Sequence, residues 1–489
     1  MATRTIDYLR SLVRELSKLP TEVEWVEFKC NNKNPELIGK YISALSNVAT
    51  LWDKPFAYLV WGIEDGTHKI IGTDFEYRKS KKGNEELELW LTKMISPKIN
   101  FKFFEVDMGE DVKVTLLEIP AAEKETTKFE SVAMIRVGSN LRPLSTYPEK
   151  EREIWRNIDS TPHELRIAAS NVPEDEVVRL LDFTKYYDLL QIPLPRERDN
   201  IMQDFINEKF LRKNDAGHYD ITNMGALLLA KDIRNFEDLV KRAVRVIKYK
   251  NVDKTEGILD EPFSGGYAFS HEEITNFIMR IIPQEEEMGV SRVKKVYAFP
   301  EIAIRELLAN MMIHQSLDQR GTSLMVEIFP DRIEFSNPGS PLIDINRIVD
   351  TVPVSRNENI AGFMHKCGIC EERGSGYDKV LLSTAKEKLL APLIINQSNQ
   401  FTKVVLFSKV PFELTTKEDR VRTCYMQACL AYVNFGAISN SDIRELFDID
   451  VKSSYKSSRI IKDTIAEGLI KPLDPNTAPR YMKYIPYWA

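Results

Sequence analysis

The chain has 489 residues, 67 Lys+Arg against 73 Asp+Glu, a net charge of -6 and 43% hydrophobic residues. That length predicts three or four domains and that balance a folded protein; it excludes attachment to nucleic acid by bulk charge, though not through a local basic face. The longest apolar runs are short, Gly225-Ala-Leu-Leu-Leu-Ala230 being typical, so no membrane contact is expected.

The opening residues lack a signal peptide's apolar core, while Ile6, Leu9, Val13 and Leu16 recur at helical spacing. Five cysteines are sparse and odd in number, which suits a reducing compartment, and a cytoplasmic protein is expected. Residues 1–150 predict an α+β domain. Thr21-Glu-Val-Glu-Trp-Val-Glu-Phe-Lys29 crowds Glu22, Glu24, Glu27 and Lys29 together. If extended, Glu27 and Lys29 share a face with Trp25. A helix over 36–52 carries Leu37, Ile38, Tyr41, Ile42, Leu45 and Val48 on one side, and strands follow over 56–63, 99–104, 112–119 and 132–137. Asp65 lies in Gly62-Ile-Glu-Asp-Gly66, after the first strand. Carboxylates brought close hold a divalent metal or push one another's pKa apart; a solvated strand edge of alternating charge explains the same pattern.

Residues 160–290 mix helices with one clear strand over 242–249; no reactive cluster stands out, and an α/β spacer domain is expected. Residues 291–411 open with a helix over 300–316 on which Glu306, Asn310 and His314 form one polar stripe. Strands over 324–329 and 332–335 follow, and Ser336-Asn-Pro-Gly339 makes a turn where backbone can approach a ligand. Glu372-Arg-Gly-Ser-Gly376 places Gly374 and Gly376 at a helix start, where free N–H groups and the helix dipole favour phosphate. Taken alone, the stripe reads more readily as the polar face of an amphipathic surface helix. Cys367-Gly-Ile-Cys370 has metal-ligand spacing but lacks the further ligands structural zinc needs. Residues 415–489 give three short helices and a turn over 472–479 between two short strands. From Lys452 onward seven Lys/Arg face three Asp/Glu, a local +4, with Lys452, Lys456, Arg459 and Lys462 available on one helix and Arg480 and Lys483 beyond the turn. That pattern suits a winged helix-turn-helix touching phosphates, or one used for protein contact.

The first segment resembles the Schlafen AlbA-like domain, in its Glu-Phe-Lys strand, its helix with Ser46-Asn47 and its Gly-Ile-Glu-Asp-Gly turn. The resemblance implies nucleic-acid binding; in the Schlafen ribonucleases two glutamates and an aspartate cut RNA, and Glu22, Glu27 and Asp65 fall at matching places. The Gly-Gly usual after the helix is replaced by Leu51-Trp-Asp-Lys-Pro55. The third segment resembles the GHKL (Bergerat-fold) ATP-binding domain, in the divergent RecG-like C-terminal form found in predicted bacterial regulators. There Glu306 matches the residue activating water, Asn310 the Mg²⁺ ligand, Asn337 and Gly339 the adenine-binding turn, residues 356–360 the lid, and Gly374 and Gly376 the phosphate-binding glycines. Asn337 stands where the usual turn has Asp and accepts a hydrogen bond without charge.

The expectation is therefore a regulator, homo-oligomeric, that binds DNA or RNA at both ends and Mg-ATP between them. The alternative is a Schlafen-like metal-dependent nuclease of host defence, gated by the ATP-binding domain. A P-loop helicase is not expected, since no Gly-x-x-x-x-Gly-Lys-Ser/Thr loop occurs.

Overall fold

The computed structural model describes residues 5–19, 23–109, 112–123, 125–160, 162–214, 217–288, 293–319, 321–370 and 375–489. The chain is mixed α+β and divides into two compact units, Met1–Val177 with Leu211–Thr222, and Val178–Phe210 with Asn223–Ala489. No helix among the described residues is long and apolar enough to cross a membrane.

The first unit is built around the helix Pro35–Leu51. Asn34 caps it, accepting from the N–H groups of Glu36 and Leu37, and Pro35 supplies a first-turn residue whose missing N–H costs nothing. The helix ends as the chain turns left-handed at Asp53 (φ 48°), so that Lys54 N–H reaches the Ala49 carbonyl at 2.9 Å. Asp53 thus performs the turn for which Gly-Gly is the usual choice. Beside the helix runs a sheet in the order Val26–Lys29, Phe56–Trp61, Lys113–Pro120, Lys102–Asp107, its first pair parallel and the others antiparallel. The strand expected over 99–104 is displaced to 102–107.

The helix also packs on a second sheet of Asn140–Pro143, Val132–Val137, Lys128–Phe129 and Ile95–Ser96. Polar side chains on its buried face pin that sheet. Asn47 donates to the carbonyls of Thr127 (2.9 Å) and Met134 (2.8 Å) and accepts from Thr127 N–H (2.8 Å). Ser43 donates to Thr127 and accepts from Met134 N–H. Each buried polar group is repaid by backbone partners, which fixes register where apolar contacts would permit sliding.

The second unit centres on one six-stranded sheet in the order Gly257–Phe263, Val244–Tyr249, Leu324–Ile328, Arg332–Pro338, Phe401–Phe407, Leu393–Gln397. Val244–Tyr249 and Leu324–Ile328 are parallel. A parallel pair needs a long crossover, and the helices Tyr267–Ile281 and Glu301–Ile313 lie within it. Strands 244–249 and 257–263 come from the stretch expected as a spacer. That stretch is not one body: residues 167–172, 211–213 and 219–222 form a three-stranded sheet in the first unit, whereas 244–263 joins the second. The boundary expected at 291 falls inside one sheet's connection.

At the C-terminus, the helices Lys417–Val433, Asn440–Leu446 and Tyr455–Ala466 precede an antiparallel pair, Ile470–Pro472 with Tyr484–Pro486. Ser439 is the N-cap of the middle helix, its N–H donating to the Asp442 carboxylate at 2.7 Å. Cys424, Tyr425, Ile443, Ile460 and Ile461 form the shared core.

Candidate functional site

The polar stripe on Glu301–Ile313 does not face open solvent. Ile304, Leu307, Leu308, Met311 and Met312 are buried, against Tyr267–Ile281, Gly376–Lys386 and the sheet. Glu306, Asn310 and His314 line a cavity of about 520 Å³, within the range of small-molecule sites. The surface-helix alternative is thereby removed. Asn337 and Gly376 line the same cavity, and its remaining wall is largely apolar, including Phe335, Ile345, Ile348 and Val404.

Several contacts hold these groups. Asn337 is buried, and its amide nitrogen donates to the Pro338 carbonyl at 3.1 Å. Gly339 has φ +103°, and a Cβ there would lie 3.1 Å from the Ser316 side chain and 3.2 Å from the Arg356 guanidinium. Only glycine fits both that backbone and that gap. Arg356 donates to the carbonyls of His314 (3.1 Å) and Ser340 (2.7 Å), and buried Asn357 donates to Ile313 (2.7 Å) and Gln315 (2.9 Å). Residues 356 and 357 therefore satisfy the end of the helix that carries the stripe. A Cβ on Gly376 would lie 2.7 Å from Glu306 Oε2, so glycine lets this helix start approach the carboxylate. Gly374 lies outside the described residues.

Burial, reinforced by the Arg356 charge, holds the His314 imidazole down to about 4, so it is neutral near pH 7. Burial raises the Asp378 carboxyl above its usual range, in the first turn of Gly376–Lys386. Glu358, within the stretch expected as the lid, lines the cavity as well, whereas sequence reading missed Tyr377; no spacing rule would have found it, because it reaches the cavity through the fold.

The first-unit carboxylates behave differently. Glu27 and Lys29 do share a face of the strand, as parity requires, but that face is covered. Glu27 is buried; its carboxylate accepts from Tyr41 OH at 2.9 Å, pairs with Lys29 and meets Arg136 Nη2 at 2.7 Å. Neither a solvated edge nor an open metal ligand describes it. Burial works against the Lys29 charge, yet hydrogen bonding and charge from Glu27, with Tyr41, raise its pKa above the ordinary lysine value. Lys29 is thus committed to Glu27 rather than offered to a phosphate. Asp65 is exposed on its turn, and Glu22 lies outside the described residues. Among the described residues no group of three or more His, Cys, Asp or Glu is placed to hold a metal ion, Cys367 and Cys370 included.

At the C-terminal end Lys452, Arg459, Lys462, Arg480 and Lys483 are exposed. Lys456 is not equivalent to them: it pairs with Glu413 at 3.2 Å and lies 4.9 Å over the Phe412 ring. Tyr455 and Tyr481, which the charge count passed over, are 68% and 69% exposed beside these cations in sequence.

Residues 22–145 match the family model described as Schlafen, AlbA_2, and residues 321–406 match that of the putative ATP-dependent DNA helicase recG C-terminal. The chain therefore contains an AlbA-like domain and a C-terminal ATPase-like domain. No curated protein matches the chain. Among solved structures, the crystal structure of the DIP2311 protein from Corynebacterium diphtheriae aligns over 93% of this chain and 92% of its own, at 15% identity and a TM-score of 0.41.

Proposed function

We propose that this chain is an ATP-binding, nucleic-acid-binding regulator, with nucleotide in the cavity of the six-stranded unit. The observation that carries the reading is the convergence of Glu306, Asn310, Asn337 and Gly376 on that one cavity. It lies largely within the segment that resembles a RecG C-terminal, ATPase-like domain. The sheet with helices 267–281, 301–313 and 376–386 supports a GHKL-like sandwich, and the three C-terminal helices with their strand pair support a winged helix.

Mg-ATP suits the residues present: Gly376 leaves room beside the Glu306 carboxylate that any side chain would take. When bound, it supplies a phosphoanhydride and a divalent charge. Asn310 would hold the Mg²⁺, and Glu306 would orient water and take its proton. Because Asn337 commits its amide nitrogen to Pro338, its oxygen is the atom left to accept from a base amine. The apolar wall excludes water from a planar base.

Nucleic acid would be engaged by the AlbA-like domain and by Lys452, Arg459 and Lys462, with Arg480 and Lys483 on the wing, and nucleotide state would bias that engagement. The nuclease reading requires Glu27 to serve a metal, whereas Arg136, Lys29 and Tyr41 already occupy its carboxylate. The AlbA-like domain is accordingly read as a binding module.

Calorimetry with Mg-ATP tests the nucleotide site. Wild type is expected to bind; Glu306→Ala to keep its affinity within about three-fold while losing any turnover, and Asn310→Ala to bind about ten-fold more weakly through loss of the metal. Absence of binding by wild type would sink the reading, and equal effects of the two substitutions would mean that the roles are misassigned.

A further inference from the structure

The wall of the cavity over 344–351 is a compact piece of chain with two faces. Asp344 caps its turn, accepting from Asn346 N–H at 2.9 Å. Arg347 is held by Asp350 at 2.9 Å, and Thr351 closes back on the Arg347 carbonyl at 2.6 Å. These bonds tie residues 344–351 to one another. On one face Ile345, Ile348 and Thr351 line the cavity.

On the other face the segment is tied to the C-terminal helices. Tyr425, buried in Lys417–Val433, donates its hydroxyl to the Asn346 carbonyl at 2.6 Å. The same hydroxyl accepts from Trp488 Nε1 at 3.2 Å, and the Arg347 guanidinium lies 4.7 Å over the Trp488 ring. Ile348 and Val349 pack against the apolar cluster of the C-terminal helices, which also includes Tyr377. Tyr377 follows Gly376 and itself lines the cavity. Both the wall and the helix start beside Glu306 thus lean on one C-terminal core.

We propose that the C-terminal segment completes the nucleotide site, with Tyr425, Trp488 and Arg347 acting as positioning residues that hold the 344–351 wall. This rests on the nucleotide reading of the cavity. None of the three lines the cavity; they act through Asn346 and Ile348. Anything that shifts the wall on binding must shift Tyr425 and Trp488 as well. By linkage, a partner that draws on the C-terminal helices changes nucleotide affinity by the factor through which nucleotide changes affinity for that partner.

The test measures Mg-ATP affinity in the full chain for wild type, Tyr425→Phe, Arg347→Ala and Arg347→Lys. It is combined with amide hydrogen exchange over 421–430 with and without nucleotide. Tyr425→Phe removes one hydroxyl from a retained ring, and Arg347 is partly exposed, so folding is expected to survive both changes. The expected result is about five-fold or greater loss of affinity in Tyr425→Phe and Arg347→Ala, with partial recovery in Arg347→Lys. Nucleotide should slow exchange over 421–430 in wild type and fail to do so in Arg347→Ala. The exchange readout decides whatever happens to melting temperature, since a merely destabilised variant retains the nucleotide-dependent difference. If wild type binds and the variants bind equally well, or if nucleotide leaves 421–430 unchanged in wild type, the tether is overturned and the nucleotide site stands. If wild type does not bind Mg-ATP, the nucleotide reading itself falls and takes the tether with it.

Discussion

Arg136 and Glu27 meet at 2.7 Å with side-chain exposures of 1% and 4%, across more than a hundred residues of sequence. Arg136 also donates to the carbonyl of Val23 at 2.7 Å and to that of Val26. The pair joins the edge of one sheet to the second sheet of the first unit. A buried charge is tolerable when its partner and its hydrogen bonds are complete, and becomes expensive when one partner is removed.

Glu27→Gln is therefore expected to act on stability. The substitution keeps the size of the side chain but leaves Arg136 buried beside a neutral amide, at a cost of about 3 kcal/mol. Denaturant unfolding followed by tryptophan fluorescence, five of the six tryptophans lying in the first unit, should show an earlier midpoint. The double variant Glu27→Gln with Arg136→Met should recover part of it. A nucleolytic role predicts the opposite pattern, an unchanged midpoint with lost cleavage.

The same pair shows what sequence conveyed and what it did not. Parity on the strand correctly placed Glu27 with Lys29, but a period of two cannot say which face another element covers. The covering groups, Tyr41 and Arg136, sit on elements whose existence was legible and whose docking was not. Arg136 carried a faint signal as a cation inside the apolar strand Val132–Val137. The helices 35–51 and 301–313 were legible because their apolar positions repeat at 3.6 residues and are mostly buried. Strand 257–263 was not expected; it holds Pro262 and is an edge strand, where proline's missing N–H does least harm. The cavity wall at 340–355 has no periodicity at all. Only its packing against the stripe and the C-terminal helices gives it a role.

Acid should destabilise the second unit before its carboxylates are neutralised. Burial holds the His271 imidazole down to about 4, against a hydrogen bond with the Arg305 carbonyl, and His314 sits at about 4 for the same leading reason. In the unfolded chain both titrate near 6.5, so as pH falls the unfolded state takes up protons first. The stability associated with these neutral rings is intact above about pH 6.5 and is lost progressively toward pH 4. The melting temperature at pH 5 is expected to lie below that at pH 7, with a smaller difference in His271→Gln, in which only His314 of the two still titrates in that window. An equal difference in wild type and variant would assign the acid sensitivity to other groups.

The C-terminal basic residues are separable by their partners. Lys452, Arg459 and Lys462 are exposed around the helix Tyr455–Ala466, whereas Lys456 is drawn back by Glu413 and Phe412. A phosphate contact adds to the salt dependence of binding roughly one released counterion at a time. Duplex DNA of mixed sequence, titrated at several salt concentrations, should therefore bind Arg459→Ala and Lys462→Ala more weakly. Each should have a shallower dependence on salt by about one unit of logarithmic slope. Lys456→Ala should change the slope little, since that ammonium already has a carboxylate. Tyr455, exposed one turn before Arg459, offers a ring for stacking that salt does not screen, so Tyr455→Ala should lower affinity without altering the slope. If Lys456→Ala lowers the slope as much as Arg459→Ala, the Glu413 pair opens on binding; if none of the four substitutions matters, this face serves a protein partner instead.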